Sequence, residues 1–264
     1  MIETLKGLVL RENLAFDNAK YITILTAERG RLSVRVRGST KVRGRFTAPT
    51  QLFSYSEFVL YESNGRFTLN DANLIENYFY LCRDYTTLTL GTYVLNAVEY
   101  ITNEDQPDAG VLRLALNTLW ALSHKTDINP RLIKGTFELR LAALAGFAPD
   151  LTACAGCGAK LGGERMYLNV MEGGLECHDC MEKRQRETYV ENDIKVDELR
   201  HAQIILPLDP AVILAMQYAI YADMSRLYSF KLADELLPEF SNAAEIYLEN
   251  HIEHRFAVLD MLEF

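Results

Sequence analysis

Two cysteine pairs, Cys154-Ala-Gly-Cys157 and Cys177-His-Asp-Cys180, form a C-x2-C-x19-C-x2-C pattern that constrains this chain more than any other feature. Each C-x2-C sets two thiols about one tetrahedral edge apart, so four sulfurs can close around one Zn2+ with no position left for water. Such a site is structural rather than catalytic, and it forces residues 151–181 into a small ribbon with two knuckles. Gly156 and Gly158 relax the backbone at the first pair; Gly162-Gly163 and Gly173-Gly174 read as turns between the knuckles. The same cysteine pattern also serves iron–sulfur clusters and redox dithiols. His178 sits between two of the cysteines, where it either replaces one as a ligand or faces solvent. The fifth cysteine, Cys82, lies in a Tyr- and Leu-rich stretch and reads as a small core residue.

The surrounding chain is long enough to need no further staple. Its 264 residues, 49% hydrophobic and 24% charged, suit one large or two to three small globular domains and exclude wholesale disorder. No apolar run approaches the roughly 20 residues that span a bilayer, and the paired cysteines suit a reducing compartment, so the expected location is cytoplasmic. The net charge of −9 at first argues against a polyanionic partner. Its distribution says otherwise. Residues 1–50 hold ten Lys/Arg against four Asp/Glu, a balance of +6, which leaves −15 on the other 214.

The basic segment also has the pattern of a β-structure. Short β-branched or aromatic runs occur at 5–11, 20–26, 31–38, 57–62 and 66–69, and Asn64-Gly65 is a hairpin signal between the last two. Five short strands in about 70 residues suggest a closed barrel of the OB type. Within it, Arg31-Leu-Ser-Val-Arg-Val-Arg37 alternates strictly, with Leu32, Val34 and Val36 on one face and Arg31, Ser33, Arg35 and Arg37 on the other. Same-face neighbours lie about 6.6 Å apart, close to the phosphate repeat of an extended single strand. Lys41, Arg43 and Arg45 follow in a loop. The candidate nucleic-acid contacts are therefore Arg31, Arg35, Arg37, Lys41, Arg43 and Arg45, while Phe46, Phe53, Tyr55 and Phe58 are assigned to the core rather than to base stacking.

From Asn70 the periodicity changes to three- and four-residue spacing. It predicts helices over 74–85, 88–101, 111–122 and 131–144, then 196–205, 210–228 and 240–263. Asp209-Pro210 marks a helix start, and Gly146 with Pro149 marks a stop. The resulting expectation is a multidomain α+β chain: an OB-fold barrel over 1–80, a helical domain over 81–150, the four-cysteine insert over 151–181, and the rest of the helical domain over 182–264. No phosphate-binding Gly-Lys loop, H-E-x-x-H or G-x-S-x-G occurs, and His251 with His254 lacks a third convergent ligand, so no enzyme is expected.

The order of these parts resembles the RecO family of bacterial recombination mediators. The resemblance is carried by Gly7-Leu-Val-Leu10, Arg29-Gly-Arg-Leu-Ser-Val-Arg-Val-Arg-Gly38 and Gln51-Leu-Phe53. It continues through Phe137-Glu-Leu-Arg-Leu141, Gly146-Phe-Ala-Pro149, Cys154-Ala-Gly-Cys157-Gly158, Gly173-Gly174, Tyr247-Leu-Glu-Asn-His251 and Arg255-Phe256. It implies a non-enzymatic, nucleoid-associated bacterial protein of DNA repair and recombination. Such a protein binds single- and double-stranded DNA, anneals complementary strands and assists RecA loading onto strands coated with single-stranded DNA-binding protein. It also implies work with RecR, a link to RecF, and contact with the acidic tail of the single-stranded DNA-binding protein through the helical domain. For that tail, Arg131, Lys134 and Arg140 on the helix over 131–144 are candidates from spacing. Two other readings stand beside this one: an OB-fold accessory of RNA processing, and a protein scaffold that docks acidic tails on its basic barrel.

Overall fold

The computed structural model describes residues 1–14, 20–37, 45–190 and 204–262, without the side chains of 185–190. The chain divides into two compact units, residues 1–130 with 256–264, and residues 131–255.

The first unit is built on a closed five-stranded barrel of β1 (Ile2–Leu14), β2 (Lys20–Thr26), β3 (Gly30–Val36), β4 (Ser54–Ser63) and β5 (Arg66–Asn77). The order around the barrel is β1-β2-β3-β5-β4. All pairings are antiparallel except β3 with β5, whose parallel register sets Val34 beside Phe67 and Arg35 beside Thr68. This is the closed arrangement expected of an OB-type barrel, and closure leaves no free sheet edge. Inward residues from every strand, among them Val9, Ile24, Val34, Phe58, Leu60 and Phe67, form one buried cluster. The alternation seen in the sequence is reproduced on β3: Leu32, Val34 and Val36 are buried, while Arg31 and Arg35 are half-buried and Ser33 is exposed. Phe53 and Phe58 are buried and Phe46 packs against the barrel core, as assigned. The Asn64-Gly65 turn has φ of 51° and 71°, the left-handed pair that a tight hairpin of matching twist requires.

Two helices complete this unit, α1 (Tyr85–Ile101) and α2 (Ala109–His124). Each begins on an aspartate whose carboxylate accepts a backbone N–H: Asp84 from Thr87 and Asp108 from Val111. The α1–α2 connection lies against the β2–β3 turn, where Arg31 N–H donates to Asn103 O at 3.1 Å. The chain later returns to α1, with Phe256 meeting Tyr93 edge-on at 5.3 Å.

The second unit contains α3 (Pro130–Leu144), β6 (Asp150–Cys154), β7 (Met166–Asn169), β8 (Gly174–Glu176), α4 (His178–Val190), β9 (Ile205–Leu208), α5 (Pro210–Tyr221) and α6 (Leu237–Ile252). Its sheet runs β6-β8-β7-β9, so the cysteine ribbon takes its fourth strand from residues beyond 181. Asp209 caps α5 as anticipated, accepting from Ala211 N–H.

Several expectations are corrected. Residues 74–77 are the end of β5, paired with β4, and Phe79–Arg83 is a single 3-10 turn, so there is no helix over 74–85. Cross-strand pairing there overrides a local helical spacing. Cys82 lies in that turn and is exposed, not in the core. The segment 210–228 is helical only to Tyr221, because Asp223 starts a new turn by capping Ser225 N–H. The last long helix ends at Ile252, where Glu253 takes a left-handed φ of 53°. Of the helix expected over 196–205, residues 196–203 lie outside the described residues, and Ile205 opens a strand. Among the described residues no helix is long and apolar enough to cross a membrane.

Candidate nucleic-acid interface and metal centre

The parallel closure of β3 on β5 creates the groove that concerns function. Arg35 and Arg37 reach it from β3 and its end, and the hairpin joining β4 to β5 brings Tyr61 and Arg66 to the other side. Tyr21 and Ser33 complete a depression of about 740 Å3 whose lining residues include three guanidinium groups and no acid. Arg37 and Arg66 are exposed and Arg35 is half-buried, so the charge stands at a wall rather than in the core. Three cations and two phenol rings lining one groove can neutralise phosphates and leave bases unread.

The other sequence candidates divide. Arg31, although on the same face, turns its guanidinium to Glu99 O at the end of α1. Arg45 forms a two-oxygen ion pair with Asp71 at 2.6 Å but keeps 70% of its side chain exposed. Lys41 and Arg43 lie outside the described residues. Arg66 was missed: it sits in a separate strand, and only the non-local β3–β5 closure brings it into the same groove as Arg35.

The three helical candidates do not assemble into a surface site. Lys134 is 3% exposed, with its Nζ 2.8 Å from Glu138 and 2.6 Å from Glu245. Burial pulls its pKa down, but the two carboxylates outweigh that and hold it above the ordinary lysine value. Its ammonium is an internal counter-charge, out of reach of an external carboxylate. Arg140 is drawn down by burial and donates to Ala219 O at 2.8 Å and to Ala222 O, closing the C-terminal carbonyls of α5. Arg131 is half-buried at the start of α3.

The four cysteines do converge. All four sulfurs of Cys154, Cys157, Cys177 and Cys180 lie within 4.8 Å of one another. A tetrahedral centre with sulfur at about 2.3 Å requires sulfur–sulfur edges of about 3.8 Å, and Cys157 Sγ is 3.8 Å from Cys177 Sγ. A methyl group at Gly156 would stand 2.9 Å from Cys180 Sγ, so the knuckle closes only over glycine. Protons are held unevenly across the cluster. Burial opposes ionisation of Cys154, yet N–H groups of Cys177, Cys157 and Gly156 outweigh it and bring the thiol down to about 6. Cys180 is pushed up to about 12, chiefly by hydrogen bonds with Cys177 and the other two thiols. Four thiolates this close repel unless a cation sits between them, and this donor set fits a soft, tetrahedrally bound metal ion. His178 is not part of the set: its imidazole is exposed and meets Glu182 at 3.1 Å and Tyr167 at 3.2 Å. His251 packs on the Tyr247 ring and bonds its carbonyl.

Comparison with known proteins agrees with this architecture. The family model described as "Recombination protein O N terminal" matches residues 1–78, and that described as "Recombination protein O C terminal" matches residues 82–193. A DNA repair protein RecO of Acetivibrio thermocellus is 28% identical over 257 residues, covering 97% of this chain and 94% of the relative. That of Bacillus subtilis is 27% identical, covering 95% and 90%. That of Listeria monocytogenes is 30% identical over 74% of this chain and 75% of the relative. With both halves matched in order, and the barrel and cysteine cluster where the sequence set them, this chain belongs to the RecO family of DNA repair proteins.

Proposed function

We propose that this protein is a recombination mediator that binds single- and double-stranded DNA through the β3–β5 groove and anneals complementary strands. The observation that carries the reading is the groove itself, with Arg35, Arg37 and Arg66 projecting from a basic barrel and no acid among its lining residues. Phosphate contacts fix a strand without covering its pairing edges, which is what annealing needs. Lys41 and Arg43, which lie outside the described residues, Arg45, which is paired with Asp71, and Arg31, on the same face of β3 as Arg35, are proposed as further phosphate contacts. The protein acts without catalysis of its own. It assists RecA loading on strands coated with single-stranded DNA-binding protein, in company with RecR and with a functional link to RecF, in the bacterial cytoplasm at the nucleoid. A tail contact on the helical unit would rest on Arg131, since Lys134 and Arg140 are committed internally.

Cys154, Cys157, Cys177 and Cys180 would hold one Zn2+ per chain. A metal with four sulfur ligands supplies cross-linking of the ribbon and no open position for chemistry.

The test is annealing of complementary strands coated with single-stranded DNA-binding protein, with and without RecR, by the intact chain and by an Arg35→Ala/Arg37→Ala/Arg66→Ala variant. The variant is expected to lose annealing and to flatten the dependence of log affinity on log salt by about 2, at about 0.7 for each lost single-strand phosphate contact. Unchanged affinity and slope would remove the groove from the mechanism. RNA competing as well as DNA of the same sequence would move the assignment to RNA.

A further inference from the structure

Away from the groove, the first unit carries a cluster of rings that its own core does not use. Trp120 is the one tryptophan of the chain, and it stands on the outer face of α2 with 46% of its surface exposed. The His124 ring lies almost parallel to it, at 5.1 Å and 16°. Tyr80, 55% exposed, extends the row, with its ring 6.4 Å from that of His124. Two cations rim these rings: the Arg83 guanidinium is 4.3 Å from the Tyr80 centroid, and the Lys125 ammonium is 5.9 Å from the Trp120 centroid. Arg113 is exposed and lies two helical turns before Trp120, on the same face.

A single exposed aromatic is ordinary, but three rings in series with cations at their edges are not scatter. The charge around them is also selective. Residues 109–126 contain Arg113 and Lys125 and no acid; of the acids at the two ends of that stretch, Asp108 is engaged as the cap of α2 and Asp127 is exposed. The acid beside Arg83, Asp84, is engaged as the cap of α1. Open π-faces edged by cations match a flexible polyanion that carries flat rings of its own.

We infer that Tyr80, Trp120 and His124, with Arg83, Lys125 and Arg113, form a stacking contact for the bases of single-stranded nucleic acid, separate from the phosphate groove of the barrel. The inference rests on the nucleic-acid reading above and adds what the groove lacks, a platform that holds unpaired bases by their faces. Stacking is indifferent to sequence because every base has a π-face, as a strand annealer requires.

The single tryptophan makes the contact directly observable in the full chain. Emission from Trp120 would be followed while adding a thymidine oligonucleotide of about fifteen nucleotides, and separately an abasic strand of the same length. Anisotropy of a labelled thymidine strand would report total binding in parallel. Quenching by the thymidine strand but not by the abasic one is expected. Trp120→Ala should weaken binding at least about fivefold, and Trp120→Phe should restore most of it. If anisotropy shows binding of ordinary strength while emission and the affinity of Trp120→Ala stay unchanged, the stacking contact is overturned and the groove stands. Equal quenching by the abasic strand reduces the surface to a charge contact and overturns it too. Quenching only by an aspartate-rich peptide reassigns the surface to a protein partner. Absence of any anisotropy change overturns the nucleic-acid reading itself.

Discussion

Two residues show how single positions carry this fold. Gly30 turns β2 into β3 at φ of +59°, and a Cβ there would lie 2.0 Å from Gln106 O and 2.8 Å from Asn103 O. The barrel and the α1–α2 connection meet at this backbone contact. Gly30→Ala therefore combines a left-handed strain with a clash that neither carbonyl can relieve alone, and a loss of at least about 2 kcal/mol in denaturant unfolding is expected. A variant within about 0.5 kcal/mol of the parent would show that the connection moves freely. Lys134 is the second case. Removing it leaves Glu138 buried without its cation, so Lys134→Ala should cost about 3–5 kcal/mol, while Lys134→Met with Glu138→Leu should recover most of that loss. Chemical denaturation of the three proteins checks it, and equal stability of the single and double variants would refute it.

At the scale of elements, local patterns were legible and long-range closure was not. The period-two alternation of 31–37 fixed which face of β3 is buried, because each strand residue reports its own side. Asn64-Gly65 and Asp209-Pro210 did the same for a turn and a helix start. The cysteine spacing located the cluster of four sulfurs that fits a metal ion. By contrast, the row Leu74, Tyr78, Leu81 has helical spacing, yet residues 74–77 are strand because β4 offers them partners that lie 20 or so residues away. Arg66 and Tyr61 enter the groove only through the β3–β5 and β4–β5 pairings. The helix positions of Lys134 and Arg140 were right, but partners on α6 and α5 decided their roles. The ribbon supplies the prediction at this scale. If a metal ties β6 to β8, stripping it with a strong chelator or making Cys177→Ser should disorder the β6–β9 sheet while the barrel keeps its strand signals and its affinity for DNA. Bound zinc per chain, hydrogen exchange of the sheet amides and DNA affinity together test this; full protection of those amides in the metal-free protein would exclude a structural metal.

For the whole molecule, the charge total says less than where the charges point. Of the ten cations in residues 1–50, Arg11, Lys20, Arg29 and Arg45 pair with acids of the first unit and Arg31 donates to a carbonyl, so half of them are engaged within the protein. What faces solvent at the groove is a small basic set held by geometry, on a chain whose net charge is −9. The same accounting by burial rather than by sum governs the pH response. Tyr78 in the first unit and Tyr247 in the second are both pushed up to about 12, in each case foremost by burial, which disfavours the phenolate. Lys134 is also raised, by its two carboxylates against burial. For all three the folded state holds its proton to a higher pH than the unfolded chain does. Their contribution is fully present below the unfolded values near 10 and is lost as pH rises through the folded ones. The part of the stability that these three groups supply should thus be level up to about pH 10 and fall between about pH 10 and 12, by about 2 kcal/mol for each tyrosine. Tyr78→Phe/Tyr247→Phe removes two of the three groups without opening a cavity, and its unfolding free energy should decline less steeply over that window. Equal slopes for parent and double variant in denaturant titrations at pH 9, 10, 11 and 12 would place the alkaline transition elsewhere in the molecule.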